Sequence, residues 1–359
     1  MDQQRLKRVL AYMDQEGLSQ IVVTSTAAVY YLTGLWIEPH ERMLALYLDR
    51  AGRTTLFGNR MFGIQPPDDL ELCLHADGDD PVAGLARAVQ PGTLGVDKFW
   101  PSKFLIGLMT ARPDVRPILG SGPIDAARRY KDEKEIAALR AASRINDQVV
   151  ETVIAALQGG VSELELAALV NRTFMSMGAD NADGPQLCCF GANAADPHHA
   201  PGQDTIRPGQ CAVFDIFTPI GRYWCDMTRT VFYGEPDAES RRVYETVRQA
   251  NLAGIAAVKP GTPLKEIDRA ARSVIEAAGY GPYFTHRLGH GIGIECHEPP
   301  DVSAASDAVA RPGMAFSIEP GIYLPGRLGV RIEDLVLVTE AGCEVLNRAS
   351  KELRVLPVR

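Results

Sequence analysis

The chain has 359 residues, 46% of them apolar and 23% charged, proportions of a globular protein long enough for about two domains. With 37 basic against 45 acidic residues the net charge is −8, which argues against a nucleic-acid or anionic-membrane partner. No run approaches the ~20 apolar residues that cross a bilayer, residues 1–9 lack a secretory apolar core, and seven cysteines without a CxxC pair read as reduced thiols of a cytoplasmic protein.

Leu6, Val9, Leu10 and Met13 share one face of an opening helix that Gly17 ends. Strands are predicted at 21–24, 43–48, 54–57 and 93–96, so residues 1–125 form an α/β domain, one without a Gly-rich phosphate turn. A proline-bearing stretch, 113–123, leads to a helix beginning near Asp125. Its charge run (Arg128, Arg129, Lys131, Asp132, Glu133, Lys134 and Glu135) reads as a solvated face. A second domain, 126–359, follows.

That second domain carries an internal duplication. Gly160-Val161-Ser162-Glu163-Leu164 reappears about a hundred residues later as Gly261-Thr262-Pro263-Leu264-Lys265, each a glycine turn that opens a helix, with Pro263 at the first helical position. Arg207-Pro208-Gly209 feeds a short apolar strand ending in Asp215, and Arg311-Pro312-Gly313 feeds one ending in Glu319. Asp226 precedes a strand at 228–233, and Glu333 one at 335–339. The pattern predicts a pseudo-two-fold domain in which each half contributes a carboxylate from two strands.

Four carboxylates pointed inward by apolar strands repel one another and are costly to bury unless a cation holds them. No matching set of Lys or Arg accompanies them. Of seven histidines in the chain, His286, His290 and His297 fall within a glycine-rich dozen residues, where the glycines allow the backbone to approach a ligand. Gly289, Gly291 and Gly293 lack the GxGxxG spacing of a phosphate loop. Carboxylates with imidazole form a hard, oxygen-rich set that favours Mn²⁺ or Co²⁺, with Zn²⁺ and Fe²⁺ as alternatives. Four carboxylates exceed the needs of one ion and suit two divalent ions roughly 3.5–4 Å apart.

At these residues the chain resembles the "pita-bread" metallopeptidases: Xaa-Pro dipeptidases (prolidases), Xaa-Pro aminopeptidases, methionine aminopeptidases and creatinase. The resemblance rests on Val213-Phe214-Asp215, Cys225-Asp226-Met227-Thr228-Arg229-Thr230, Gly289-His290-Gly291-Ile292-Gly293, Ser317-Ile318-Glu319-Pro320-Gly321 and Gly329-Val330-Arg331-Ile332-Glu333. Tyr30-Tyr31-Leu32-Thr33-Gly34 and Glu41-Arg42 fit more loosely. It implies a small creatinase-like α/β domain before a pita-bread catalytic domain, and a dinuclear-metal hydrolase. Asp215 would bind one metal terminally, His290 and Glu319 the other, with Asp226 and Glu333 bridging. Glu319 would accept a proton from water, and His198 and His297 would donate to the carbonyl oxygen. Arg331 and Tyr323 would be hydrogen-bonding groups behind the ligands or against the substrate. Metal-free creatinase chemistry is disfavoured because all five ligands are present. The N-terminal domain disfavours a methionine aminopeptidase.

The expected substrate is a small peptide with proline second, in a dipeptide (prolidase) or, alternatively, at the start of a longer peptide. Arg287 suits the free carboxylate of a dipeptide. His286, Phe190 and Phe217 are expected walls for the proline ring. Phe217 departs from the family, which often has glycine two residues after the first aspartate. The resemblance further implies a homodimer, with Trp36 and His40 on the loop 36–42 closing the partner's site. A metal-free peptide-binding protein is the reading from another functional class.

Overall fold

In the computed structural model, all residues except 182, 183 and 185 are described, and the chain divides into two compact units, Met1–Arg128 and Arg129–Arg359. In the first unit α1 (Gln3–Gln15) buries Leu6, Val9 and Met13 and is capped by the Asp2 carboxylate, which accepts from the backbone N–H of Gln4 and Arg5. Gly17, at φ +69°, takes the left-handed turn after it. There follow β1 (Gln20–Val23), α2 (Thr26–Thr33), β2 (Ala45–Asp49), β3 (Thr54–Asn59) and β4 (Glu71–His75). Then come α3 (Ala83–Ala88), β5 (Gly92–Val96), α4 (Ser102–Ala111), β6 (Val115–Leu119) and α5 (Gly122–Arg129).

The six strands form one mixed sheet in the order β4-β3-β2-β1-β5-β6. The proline-bearing stretch therefore contains an unanticipated strand. Pro117 is tolerated because β6 lies at the sheet edge, where a missing N–H costs no ladder bond.

The second unit opens with α6 (Glu133–Ala156), started by a capping box between Asp132 and Glu135. This divides what the sequence suggested was one helix from Asp125. The charge run is not a solvated face either: Arg128, Lys131 and Glu135 are buried. The Lys131 ammonium sits 3.1 Å from the Glu298 carboxylate, and Tyr223 donates its hydroxyl to Glu135. Next come α7 (Glu163–Ser176), β7 (Leu187–Phe190), β8 (Gln210–Ile220), β9 (Tyr223–Tyr233), α8 (Ala238–Ala257) and α9 (Leu264–Ala277). The short strands β10 (Gly289–Gly291), β11 (Glu298–Val302), β12 (Ala315–Ile318), β13 (Gly321–Leu324) and β14 (Leu328–Arg331) follow. The last are β15 (Asp334–Val338), β16 (Cys343–Val345) and β17 (Val355–Leu356).

The duplication is visible in the architecture. β17-β9-β8-β7 is one half-sheet and β11-β10-β12-β15-β16 the other, each backed by a pair of helices. Val149 and Val153 of α6 and Leu166 and Val170 of α7 pack with Phe214, Ile216 and Met227. Val243 and Val247 of α8 and Ile267 and Ile275 of α9 pack with Phe316, Ile318 and Val336. Isolated bridges recur too, Ser162 with Thr205 and Pro263 with Val309. Pro263 occupies the N-cap position and not the first helical turn.

Candidate metal centre

Alternation along β8 sends Phe214 and Ile216 into the helix-backed core, so Asp215 and Phe217 face the other way. Asp215 lies opposite Thr228 and Phe217 opposite Asp226, which sets Asp215 and Asp226 diagonally on one sheet face. Both sit inside 11-residue strands, not at strand ends as the sequence suggested. In the other half the β12–β15 ladder closes on Ile318 and Asp334, and Glu319 and Glu333 extend just beyond it. Two buried asparagines, missed in the sequence, hold these segments. Asn146 of α6 donates to the Ile216 carbonyl at 3.0 Å, and Asn251 of α8 donates to the Ile318 carbonyl at 2.9 Å. Their recurrence at the duplication's own spacing, mid-helix among apolar residues, was the available signal.

His290 is buried on β10. Its Nδ1 lies 3.1 Å from the Gly291 carbonyl, which fixes the proton there and leaves Nε2 as a lone pair. Nε2 is 3.4 Å from Glu319 Oε1 and 3.7 Å from Asp226 Oδ2. Ligand atoms of Asp226, His290 and Glu333 all lie within 4.8 Å of one another.

Three carboxylates share one pattern, an oxygen held by the protein and an oxygen left bare. Arg331 Nη2 donates to Asp215 Oδ2 at 2.5 Å, Thr228 donates to Glu333 Oε2 at 2.8 Å, and the Cys296 thiol lies 3.4 Å from Asp226 Oδ2. Asp215 Oδ1, Asp226 Oδ1 and Glu333 Oε1 are buried without a hydrogen-bond partner. Bare buried carboxylate oxygens beside a neutral imidazole are what a hard divalent cation requires, so the residues fit a metal centre.

Electrostatics point the same way. Burial, reinforced by the neighbouring carboxylates, pushes Asp226 and Glu333 well above the ordinary range. Burial also raises Glu319, to about 7. Burial first and His297 second lower His290 to about 3, so it stays neutral. The group cannot hold its full negative charge at neutral pH without a cation.

Behind the carboxylates runs a polar relay. Arg331 Nε donates to Thr228 at 3.1 Å and Nη1 to the Tyr323 hydroxyl at 2.9 Å; Tyr323 in turn lies 2.9 Å from His286 Nε2. His286 Nδ1 is 2.7 Å from the Arg287 carbonyl, and burial lowers this histidine to about 4. The neutral ring therefore accepts the Tyr323 proton.

The centre opens on a cavity of about 930 Å³ whose lining includes His198, His286, Arg287, His297, Phe217 and Trp224. His198 and His297 are exposed in it. The His297 ring stands edge-on to His290 at 4.2 Å between centroids. The buried Lys131–Glu298 pair pins the adjacent residue. Arg287 is held at 2.7 Å by Asp301. Phe190 does not line the cavity and belongs to the core between α6, α7 and β8. The glycines serve packing more than ligand approach: a Cβ at Gly289 would stand 1.9 Å from the Ser317 carbonyl, and one at Gly293 2.6 Å from Glu298. Trp36 and His40 lie in the first unit, on the loop after α2, where Trp36 packs edge-on against Tyr30 and bonds Glu38.

Residues 137–340 match the model of metallopeptidase family M24, and residues 5–130 match the creatinase/prolidase N-terminal domain. An uncharacterized peptidase of Staphylococcus aureus is 34% identical over 97% of this chain and 99% of its own length. A prolidase structure from Thermococcus sibiricus is 33% identical, with a TM-score of 0.93 over 99% of this chain and 100% of its own. A dipeptidase structure from Pyrococcus horikoshii is 32% identical, with a TM-score of 0.92 over 98% of this chain and 100% of its own. The chain belongs to metallopeptidase family M24 and is a metallopeptidase.

Proposed function

We propose that this metallopeptidase hydrolyses the Xaa-Pro bond of dipeptides, holding two divalent ions, Mn²⁺ for preference, between its two half-sheets. The observation that carries the reading is the set of bare oxygens on Asp215, Asp226 and Glu333 around His290. Asp215 would bind one ion, His290 and Glu319 the other, with Asp226 and Glu333 shared. Bound there, such ions supply Lewis acidity that activates water and polarises a carbonyl.

The chain supplies the rest. The pair Arg331 and Thr228 fixes the carboxylates, and Ser317, donating to Glu319 at 3.0 Å and accepting from the His290 N–H at 3.0 Å, fixes Glu319 beside His290. Glu319, whose Oε1 lies 3.4 Å from His290 Nε2 at the edge of the centre, is placed to hold the proton that leaves water. His198 and His297 project N–H donors into the cavity, where negative charge builds on the scissile carbonyl oxygen. Arg287 would receive the dipeptide's carboxylate, rotating away from the exposed Asp301. Similarity to structures described as a prolidase and a dipeptidase supports the substrate class. A homodimer in which Trp36 and His40 close the partner's site, in the cytoplasm, completes the proposal.

The test is Mn²⁺-dependent proline release from a Xaa-Pro dipeptide beside first-residue release from a Xaa-Pro-Yaa tripeptide. Cleavage confined to dipeptides supports the reading. Equal or better tripeptide cleavage moves the activity to an Xaa-Pro aminopeptidase.

A further inference from the structure

We infer that Phe217 and Trp224 form the wall that receives the side chain of the residue before proline, and that they commit the enzyme to apolar and aromatic residues there. The inference rests on the Xaa-Pro reading above.

Phe217 and Trp224 share the sheet face of the carboxylates. Along β8 and β9 the residues on that face include Asp215, Phe217, Trp224 and Asp226, and Leu187 of β7 lies directly opposite Asp215. Leu187, Phe217 and Trp224 all line the cavity. The two aromatic rings stand 6.3 Å apart between centroids, tilted at 38°. An apolar surface thus adjoins the acidic centre directly.

The wall is fixed before any ligand arrives. The buried Gln186 side chain donates to the Phe217 carbonyl at 2.9 Å and accepts from the Phe217 N–H at 3.1 Å, clamping its backbone from both sides. The Trp224 N–H donates to the Gly293 carbonyl at 2.8 Å, tying the wall to the glycine-rich segment that carries His290. A pre-ordered apolar pocket loses little entropy on binding, so its shape becomes selectivity.

Charge decides which end of the substrate meets it. His198, Arg287 and His297 line the cavity with imidazole and guanidinium groups that can donate hydrogen bonds into it. A dipeptide's carboxylate is drawn there and repelled by Asp215, Asp226, Glu319 and Glu333. With the carboxylate of proline on the imidazole and guanidinium side, the preceding residue lies on the strand side, against Phe217 and Trp224.

The experiment compares kcat/KM for Phe-Pro and Gly-Pro with Mn²⁺-loaded wild type, Phe217→Gly, Phe217→Leu and Trp224→Ala. Wild type is expected to prefer Phe-Pro, and Phe217→Gly and Trp224→Ala are expected to lower the Phe-Pro to Gly-Pro ratio by about tenfold, the worth of a few apolar contacts. Phe217→Leu is expected to keep most of the ratio. A general structural defect lowers both substrates together and leaves the ratio in place. If both dipeptides are cut and the ratio shifts less than about twofold in every variant, the wall assignment is overturned. If wild type cuts neither, the Xaa-Pro reading itself fails and the assignment with it.

Discussion

Arg331, from the second half of the catalytic unit, donates to Asp215 of the first half at 2.5 Å. One guanidinium thereby sets the orientation of a carboxylate that the opposite sheet provides. Its Nε reaches Thr228, which holds Glu333, so a single planar fork positions groups from both halves.

A lysine at this position keeps the charge and loses the fork. Arg331→Lys is expected to weaken metal binding or activity by about 10- to 100-fold, the usual cost of losing a group that orients a ligand. Calorimetric Mn²⁺ titration beside kcat/KM measures both. Wild-type affinity in the variant would show that Asp215 needs no such anchor.

The buried carboxylates predict a pH signature of the metal-free protein. Asp226, Glu319 and Glu333 have folded-state values raised above their ordinary ones. Such groups contribute stability that is complete below the unfolded pKa and is lost as pH climbs through the folded one. For Glu319 the window runs from 4.5 to about 7, worth on the order of 3 kcal/mol. Chelated protein should therefore melt markedly lower at about pH 8 than at about pH 6, and Mn²⁺ should remove most of that difference. Parallel melting curves with and without metal would contradict the account.

The two asparagines predict a loss of a different kind. Asn146→Ala removes the side-chain bond to the Ile216 carbonyl beside Asp215, and Asn251→Ala removes the one to the Ile318 carbonyl beside Glu319. Each is expected to cost about 1 kcal/mol in denaturant unfolding, because a buried amide hydrogen bond is lost while the strand ladder remains. Activity should fall further than Mn²⁺ affinity, since the backbone next to a carboxylate moves while its oxygens remain.

The parts of this centre that were legible in the sequence carry chemistry in their own residue type and recur by duplication: Asp215 with Glu319, Asp226 with Glu333. Their position within strands was not legible. Apolar residues flank each carboxylate without marking where the ladder starts, and the β8–β9 ladder runs on past Asp215 and Asp226 to Ile220 and Tyr223. Lys131 and Glu135 looked like surface charges because composition cannot show that Glu298 and Tyr223 await them. Phe190 and Phe217 are equivalent as letters. Only the alternation of β7 and β8 sends the first into the core and the second into the cavity.

In the proposed reading, Arg287 is the residue that distinguishes a dipeptidase from an aminopeptidase. It lines the cavity beside His286, and its guanidinium is held by Asp301 at 2.7 Å. An exposed pair of this kind is worth about 1 kcal/mol or less, so a substrate carboxylate can displace it at small cost. If Arg287 binds that carboxylate, Arg287→Ala raises KM for a Xaa-Pro dipeptide about tenfold with little change in kcat, and leaves a Xaa-Pro-Yaa amide unaffected. Asp301→Ala frees the guanidinium and should lower KM for the dipeptide. Equal effects of Arg287→Ala on both substrates would make Arg287 a structural partner of Asp301, and the carboxylate would have to be recognised by the imidazoles of His198 and His297.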